Sequence, residues 1–204
     1  MLKSAFETKC AMATWTQPGD LLNSMHQTSR RFLLKERTAL AHRRVDEKVG
    51  LFDTIPSYSA YLQGLFLFRR PIERVLEGVK WPAAMGTWRP TLIAGEIAAD
   101  LSTLGLNADC DRDRHCGFDG DSSLFGCLYV LEGSVFGARV LLKQALALGL
   151  DETHGARHLA RQASSQSWTA FASALESAEG LDIEAATAAA IDTFAAAELA
   201  FARP

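Results

Sequence analysis

The sequence predicts an all-α fold in a single domain, and three observations support this. Apolar and small residues recur at helical spacing, as along Leu34, Thr38, Ala41, His42, Val45 and Val49, the period of one helix face. No segment sustains the apolar–polar alternation of a half-buried strand. The 204 residues, 48% of them apolar and 22% charged, suit one sizeable core.

Residues 1–27 carry no clear period and hold a Gln17-Pro18-Gly19-Asp20 turn. They are expected to form an extension, partly disordered, ahead of a domain spanning 28–204. The first helix is expected to start at Thr28 or Ser29, either a good N-cap, and to stop at Gly50. Arg30, Arg37, Arg44 and Lys48 lie mostly off its apolar stripe. A second helix follows Pro56-Ser57 through YSAYLQGLFLF, and Pro71 should kink or interrupt it. Trp81-Pro82 and Trp88-Arg89-Pro90 flank a connector. Further helices fit 91–104, about 122–148, 153–178 and 183–202, with a polar loop at 107–121. The 122–148 segment is the longest and most apolar, yet holds Gly126, Gly133 and Gly137.

The formal charge of −3, from 21 basic and 24 acidic residues without a Lys/Arg-rich run, argues against nucleic acid as a partner. A local basic patch for an acidic partner remains compatible with it. No uninterrupted apolar run suggests a membrane span or a signal peptide, so no membrane insertion and a cytoplasmic location are expected. Cys10, Cys110, Cys116 and Cys127 form no regular framework and read as four free thiols.

Two segments carry chemistry. His42 lies on the stripe of the first helix, with Thr38 one turn before it and Asp46 one turn after. A neutral imidazole facing a cavity is a good axial ligand for heme iron, and its other ring N–H needs an oxygen such as that of Asp46. Taken alone, a histidine at a helix–helix contact is the plainer reading. Gly133 and Gly137, four residues apart, strip one helix face of side chains at a cost of roughly 1 kcal/mol each. A flat ligand, or a tightly packed neighbouring helix, would account for them equally well.

Together the two segments are more specific. LLKERTALAHRRVDEKV resembles the proximal-helix motif of heme oxygenases, with its L-K-x-x-T-x-x-x-H core and an acidic residue one turn later. LYVLEGSVFGARVLLKQALALGL resembles the distal-helix motif of the bacterial branch, Y-V-x-E-G-S-x-x-G-A. The resemblance implies a single-domain heme-oxygenase-like bundle, with heme sandwiched between a proximal and a glycine-kinked distal helix. It implies His42 as the iron ligand and Asp46 as its partner, through water because aspartate is shorter than the family's usual glutamate. It also implies Gly133, Ser134 and Gly137 as the distal wall. Arg31, Lys35, Arg139 and Lys143, with the hydroxyls of Thr38 and Tyr129, are the candidate partners for heme and its propionates. Val135 and Phe136 make this stretch more apolar than the family pattern.

The implied reaction is oxidative cleavage of heme b, substrate and cofactor at once, to biliverdin, carbon monoxide and ferrous iron. It consumes O2 and electrons from a ferredoxin or flavoprotein reductase. Iron acquisition and bilin supply to a photoreceptor are the two purposes it suggests. The alternative within the same fold is a protein that binds, stores or senses heme without turnover. A fold relative degrading thiamine compounds would need a cysteine nucleophile, for which Cys127 is the sole helical candidate. His154 and His158, four apart, are expected on a solvated face. The Cys110-His115-Cys116 stretch and its neighbouring aspartates match neither a common zinc knuckle nor a calcium loop.

Overall fold

The structure, a computed structural model, describes residues 29–107 and 117–202. The predicted N-terminal extension lies outside the described residues, as do Cys110, His115 and Cys116 of the polar loop. The described residues form eight α-helices and no strand. They are α1 (Arg30–Val49), α2 (Ile55–Leu76), α3 (Ala94–Thr103), α4 (Gly120–Gly133), α5 (Val135–Ala147), α6 (Arg157–Ser164), α7 (Ser167–Ser177) and α8 (Ile183–Phe201). A short 3₁₀ turn, Ala83–Met85, follows α2.

Helix α8 is the axis of the bundle, and α1, α2 and α4 all pack on it. Its alanine-rich surface permits close approach. A Cβ at Gly126 of α4 would fall 2.1 Å from the Ala186 carbonyl oxygen of α8, so this glycine exists for packing. Helix α7 supports both α1 and α4 from one side, and α5 packs on α6.

The ends of α1 fall where the sequence placed them, with Ser29 before the helix and Gly50 after it. Ser29 makes no side-chain cap of its own. Glu176 of α7 caps the helix instead, accepting from the Arg30 and Arg31 amides at 3.0 and 3.2 Å and from the Ser29 hydroxyl. Arg30 donates in return to the carbonyls of Leu175 and Ala178.

The interruption allowed for at Pro71 and the single helix expected over 153–178 need correction. Helix α2 runs through Pro71 without interruption. Phe66, Phe68, Ile72 and Leu76 are buried on both sides of it, and packing outweighs the lost hydrogen bond. The long apolar helix is broken for one residue at Ser134, beside Gly133, in the segment where the resemblance implied a glycine kink, while the 153–178 helix, expected to be continuous, is divided between α6 and α7. One helix bears on the membrane expectation without overturning it. Gly120–Ala147 is long and apolar enough to cross a bilayer by length and composition, but 56% of its apolar window is buried inside the molecule, as in a core helix.

His158 is not on a solvated face. It is fully buried, and its Nδ1 lies 2.8 Å from Asp100 Oδ2, which also accepts its backbone N–H at 3.0 Å. Burial pushes the imidazole below its ordinary 6.5, and the pull of Asp100 does not restore it. Burial alone would raise Asp100, but hydrogen bonds from His158 and Arg157 outweigh it and hold the carboxyl below 3.8. The pair is therefore a neutral imidazole donating to a carboxylate. A second buried pair, Arg69 Nε to Glu73 Oε1 at 2.7 Å, lets Glu73 cap α3 through the Ile93 and Ala94 amides.

Candidate functional site

Thr38 of α1 and Tyr129 of α4 approach each other at one point between the two helices. Thr38 is buried, its hydroxyl donates to the Leu34 carbonyl at 2.7 Å, and the Tyr129 hydroxyl meets it. Burial raises Tyr129 above its ordinary 10.0, so the phenol stays protonated. One turn beyond Thr38 on α1 stands His42, and one turn beyond Tyr129 on α4 stands Gly133.

His42 is directly paired with Asp46, Nδ1 to Oδ2 at 3.0 Å, with 61% and 65% of the two side chains exposed. The expected water-mediated link is thus replaced by direct contact, because i,i+4 side chains on a helix lie close enough for the shorter carboxylate to reach. So exposed a pair adds little stability. Its consequence is orientation: with Nδ1 committed, Nε2 is the nitrogen left to meet a metal. The ring leans edge-on against Phe194 of α8, with centroids 5.4 Å apart.

The three distal glycine-segment residues occupy different environments. A Cβ on Gly137 would meet nothing within 4 Å, whereas on Gly133 it would touch the Trp168 ring at 3.7 Å. Ser134 is engaged twice: it donates to the Leu131 carbonyl and accepts from Gln162 Nε2, both at 2.5 Å. Its proton is committed to the helix. Val135 is buried, while Phe136 and Val140 are 52% and 57% exposed beside Gly137. Phe136 rests edge-on against Trp168 at 5.6 Å.

Among the proposed cationic partners, Lys35 and Lys143 are exposed. Arg139 donates to the Ala163 carbonyl at 3.2 Å and lies over the Phe136 ring. The Arg31 guanidinium sits 4.9 Å from the Phe32 ring centre, beside a shallow recess of about 620 Å³ between the start of α1 and α7. That recess reaches the glycine segment only through Trp168, and His42 does not line it. Trp168, Gln162 and Phe194, all in direct contact with site residues, went unnoticed in the sequence. They lie on α7, α6 and α8 respectively, and no local spacing links them to either motif.

Among the described residues, no group of three or more histidine, cysteine or acidic side chains could hold a metal ion. Cys127 is buried. The arrangement offers one oriented imidazole and, on a separate helix, a bare apolar surface.

The fold matches that of the Neisseria meningitidis heme oxygenase, solved with NO and CO bound. The TM-score is 0.70 at 23% identity, over 85% of this chain and 90% of that one. In sequence, the chain is 30% identical over 168 residues to heme oxygenase PigA of Pseudomonas aeruginosa, covering 76% of this chain and 82% of that protein. No family model matches. The chain belongs to the bacterial heme oxygenase family, a family of oxygenase enzymes.

Proposed function

We propose that this protein cleaves heme b oxidatively to biliverdin, releasing carbon monoxide and ferrous iron, in a domain that begins near residue 28. O2 and an external donor, a ferredoxin or flavoprotein reductase, supply the oxidant and the electrons, and the setting is cytoplasmic. The carrying observation is the pairing of the two helices. The oriented His42 and Gly133, the first residue of the glycine strip, each lie one turn from the Thr38–Tyr129 approach.

The residues fit the group. A single imidazole would suit an iron whose remaining nitrogen ligands come with its own macrocycle. The open space at Gly137, with exposed Phe136 and Val140 beside it, suits a flat apolar face. When bound, heme supplies the redox chemistry and the carbon skeleton that is cut. Each residue has a positional task. His42 Nε2 holds the iron. Asp46 accepts the Nδ1 proton, fixes the ring plane and strengthens donation from Nε2 to the iron. Phe194 limits tilting of the ring. Gly133 and Gly137 keep side chains off the distal face, so that the substrate edge meets backbone. Lys35 and Lys143 are exposed and best suited to the propionates, while Arg31, Arg139 and the Thr38 and Tyr129 hydroxyls are further partners. No acidic side chain is assigned to proton delivery, which falls to ordered water.

Titrating the protein with hemin, then adding ascorbate or a ferredoxin system, tests the proposal. A Soret band that decays into biliverdin, with one isomer dominant on chromatography, is expected. A stable Soret band under reductant and O2 would instead leave a heme-binding protein without turnover.

A further inference from the structure

The break between α4 and α5 falls on a Gly133-Ser134 pair, a usual place for a helix to bend. In an unbroken helix the Leu131 carbonyl would accept the Val135 amide. Here the Ser134 hydroxyl takes that acceptor at 2.5 Å. A serine side chain bonded back to its own helix favours bending.

What holds this hydroxyl comes from another helix. Gln162 of α6 is only 7% exposed, and its carboxamide lies against Ser134 Oγ. The donor logic is closed. A carbonyl can only accept, so the single Ser134 proton points at Leu131. Ser134 Oγ must then accept from Gln162, whose NH2 end faces it. On the other side of Gly133, buried Glu132 accepts the Thr91 amide at 3.1 Å, beside the Ser167 hydroxyl. The one-residue break is thus braced from both flanks by elements outside the α4–α5 pair.

We propose that Gln162 is a positioning residue for the distal wall: its carboxamide locks the Ser134 rotor and so fixes the break beside Gly133. Its bearing on catalysis rests on the heme reading above; the lock itself does not. Without the amide donor, the Ser134 hydroxyl is free to turn away from Leu131, and the unpinned turn from Val135 to Ala138 opens more readily. The glycine strip would then shift relative to the substrate edge.

The test uses Gln162→Leu and Gln162→Glu. In the apo-protein, amide hydrogen exchange at Val135–Ala138 should accelerate roughly three- to tenfold in the leucine variant, the scale of one lost hydrogen bond. The glutamate variant keeps the shape and supplies a pH readout. When protonated, it donates as the amide does and exchange matches the wild type. When ionised, it can only accept, draws the Ser134 proton from Leu131, and exchange rises. In the heme complex, the same variants should broaden the mixture of biliverdin isomers in parallel with exchange, without losing the axial histidine. Unchanged exchange in both variants overturns the lock. Altered exchange with an unchanged isomer ratio overturns its role in catalysis. Failure of the wild type to bind hemin overturns the functional reading and leaves the exchange result standing.

Discussion

Gly126→Ala and Gly137→Ala exchange the same residue types within one helical stretch, and the structure gives them opposite consequences. At Gly126 the new methyl would stand 2.1 Å from the Ala186 carbonyl oxygen and 3.0 Å from the Ala189 Cβ. The first of these obstacles is backbone, so α4 must move off α8. Overpacking of this kind costs about 1–3 kcal/mol. The helix-propensity gain of roughly 1 kcal/mol does not offset its upper range. At Gly137 the methyl meets nothing within 4 Å, so the propensity gain of up to about 1 kcal/mol survives. For a domain of this size, that corresponds to a rise in Tm of about 2–4 °C. Thermal unfolding of the apo-proteins by circular dichroism should therefore show Gly126→Ala below the wild type and Gly137→Ala at or above it. Hemin titration should reverse the ranking for Gly137: a bulkier Gly137→Leu should bind heme weakly or block oxygenation while the apo fold persists. A Gly137→Ala protein that melts below the wild type, or a Gly137→Leu protein that turns over at the wild-type rate, would refute the assignment of this strip to the substrate face.

The direct 3.0 Å contact between His42 and Asp46 predicts that Asp46→Ala raises the reduction potential of the heme complex while the axial histidine stays bound, because a ligand without its carboxylate partner donates less to the iron and favours ferric iron less. Equal potentials by potentiometry would reduce Asp46 to a solvated helix residue. Glu73→Ala should lower stability by about 3–5 kcal/mol in denaturant titration, since it strands the buried Arg69 charge; a loss under about 1 kcal/mol contradicts that account. His158 sets a pH dependence. Its folded pKa lies below 6.5, so on acidification the unfolded chain gains a proton that the folded state refuses, and stability is lost as pH falls from about 7 toward 5. Asp100, held below 3.8, keeps its contribution through that window and loses it only at lower pH. A His158→Gln protein should show a flatter Tm profile between about pH 5 and 7; an unchanged slope would exclude His158 as its source.

Local pattern revealed the local facts. The 3.6-residue period set α1 and α8 close to their observed limits, and the paired motifs on α1 and α4–α5 led to the family. Sequence did not reveal how side chains are used by neighbours distant in the chain. His158 has the spacing of an exposed pair, but Asp100 of α3, far away in sequence, makes its burial possible. Ser134 reads as part of the distal wall, but its hydroxyl is taken up by Gln162 and the Leu131 carbonyl. Ser29 occupies the cap position, yet Glu176 does the capping. Gly126, Gly133 and Gly137 are indistinguishable as letters. Their separation into a packing contact, a near contact with an indole and an open position depends on Ala186 and Trp168. Pro71 carries a strong local signal for an interruption, which the buried residues on both sides of it override.

The central claim is that His42 holds heme iron on α1. Electron paramagnetic resonance and optical spectra of the ferric hemin complex, recorded for the wild type and for His42→Ala, test it most directly. The account predicts an axial-histidine signature in the wild type that is lost in His42→Ala, regained with added imidazole, and retained when His154 or His158 is replaced instead. A His42→Ala complex with the wild-type spectrum would contradict it.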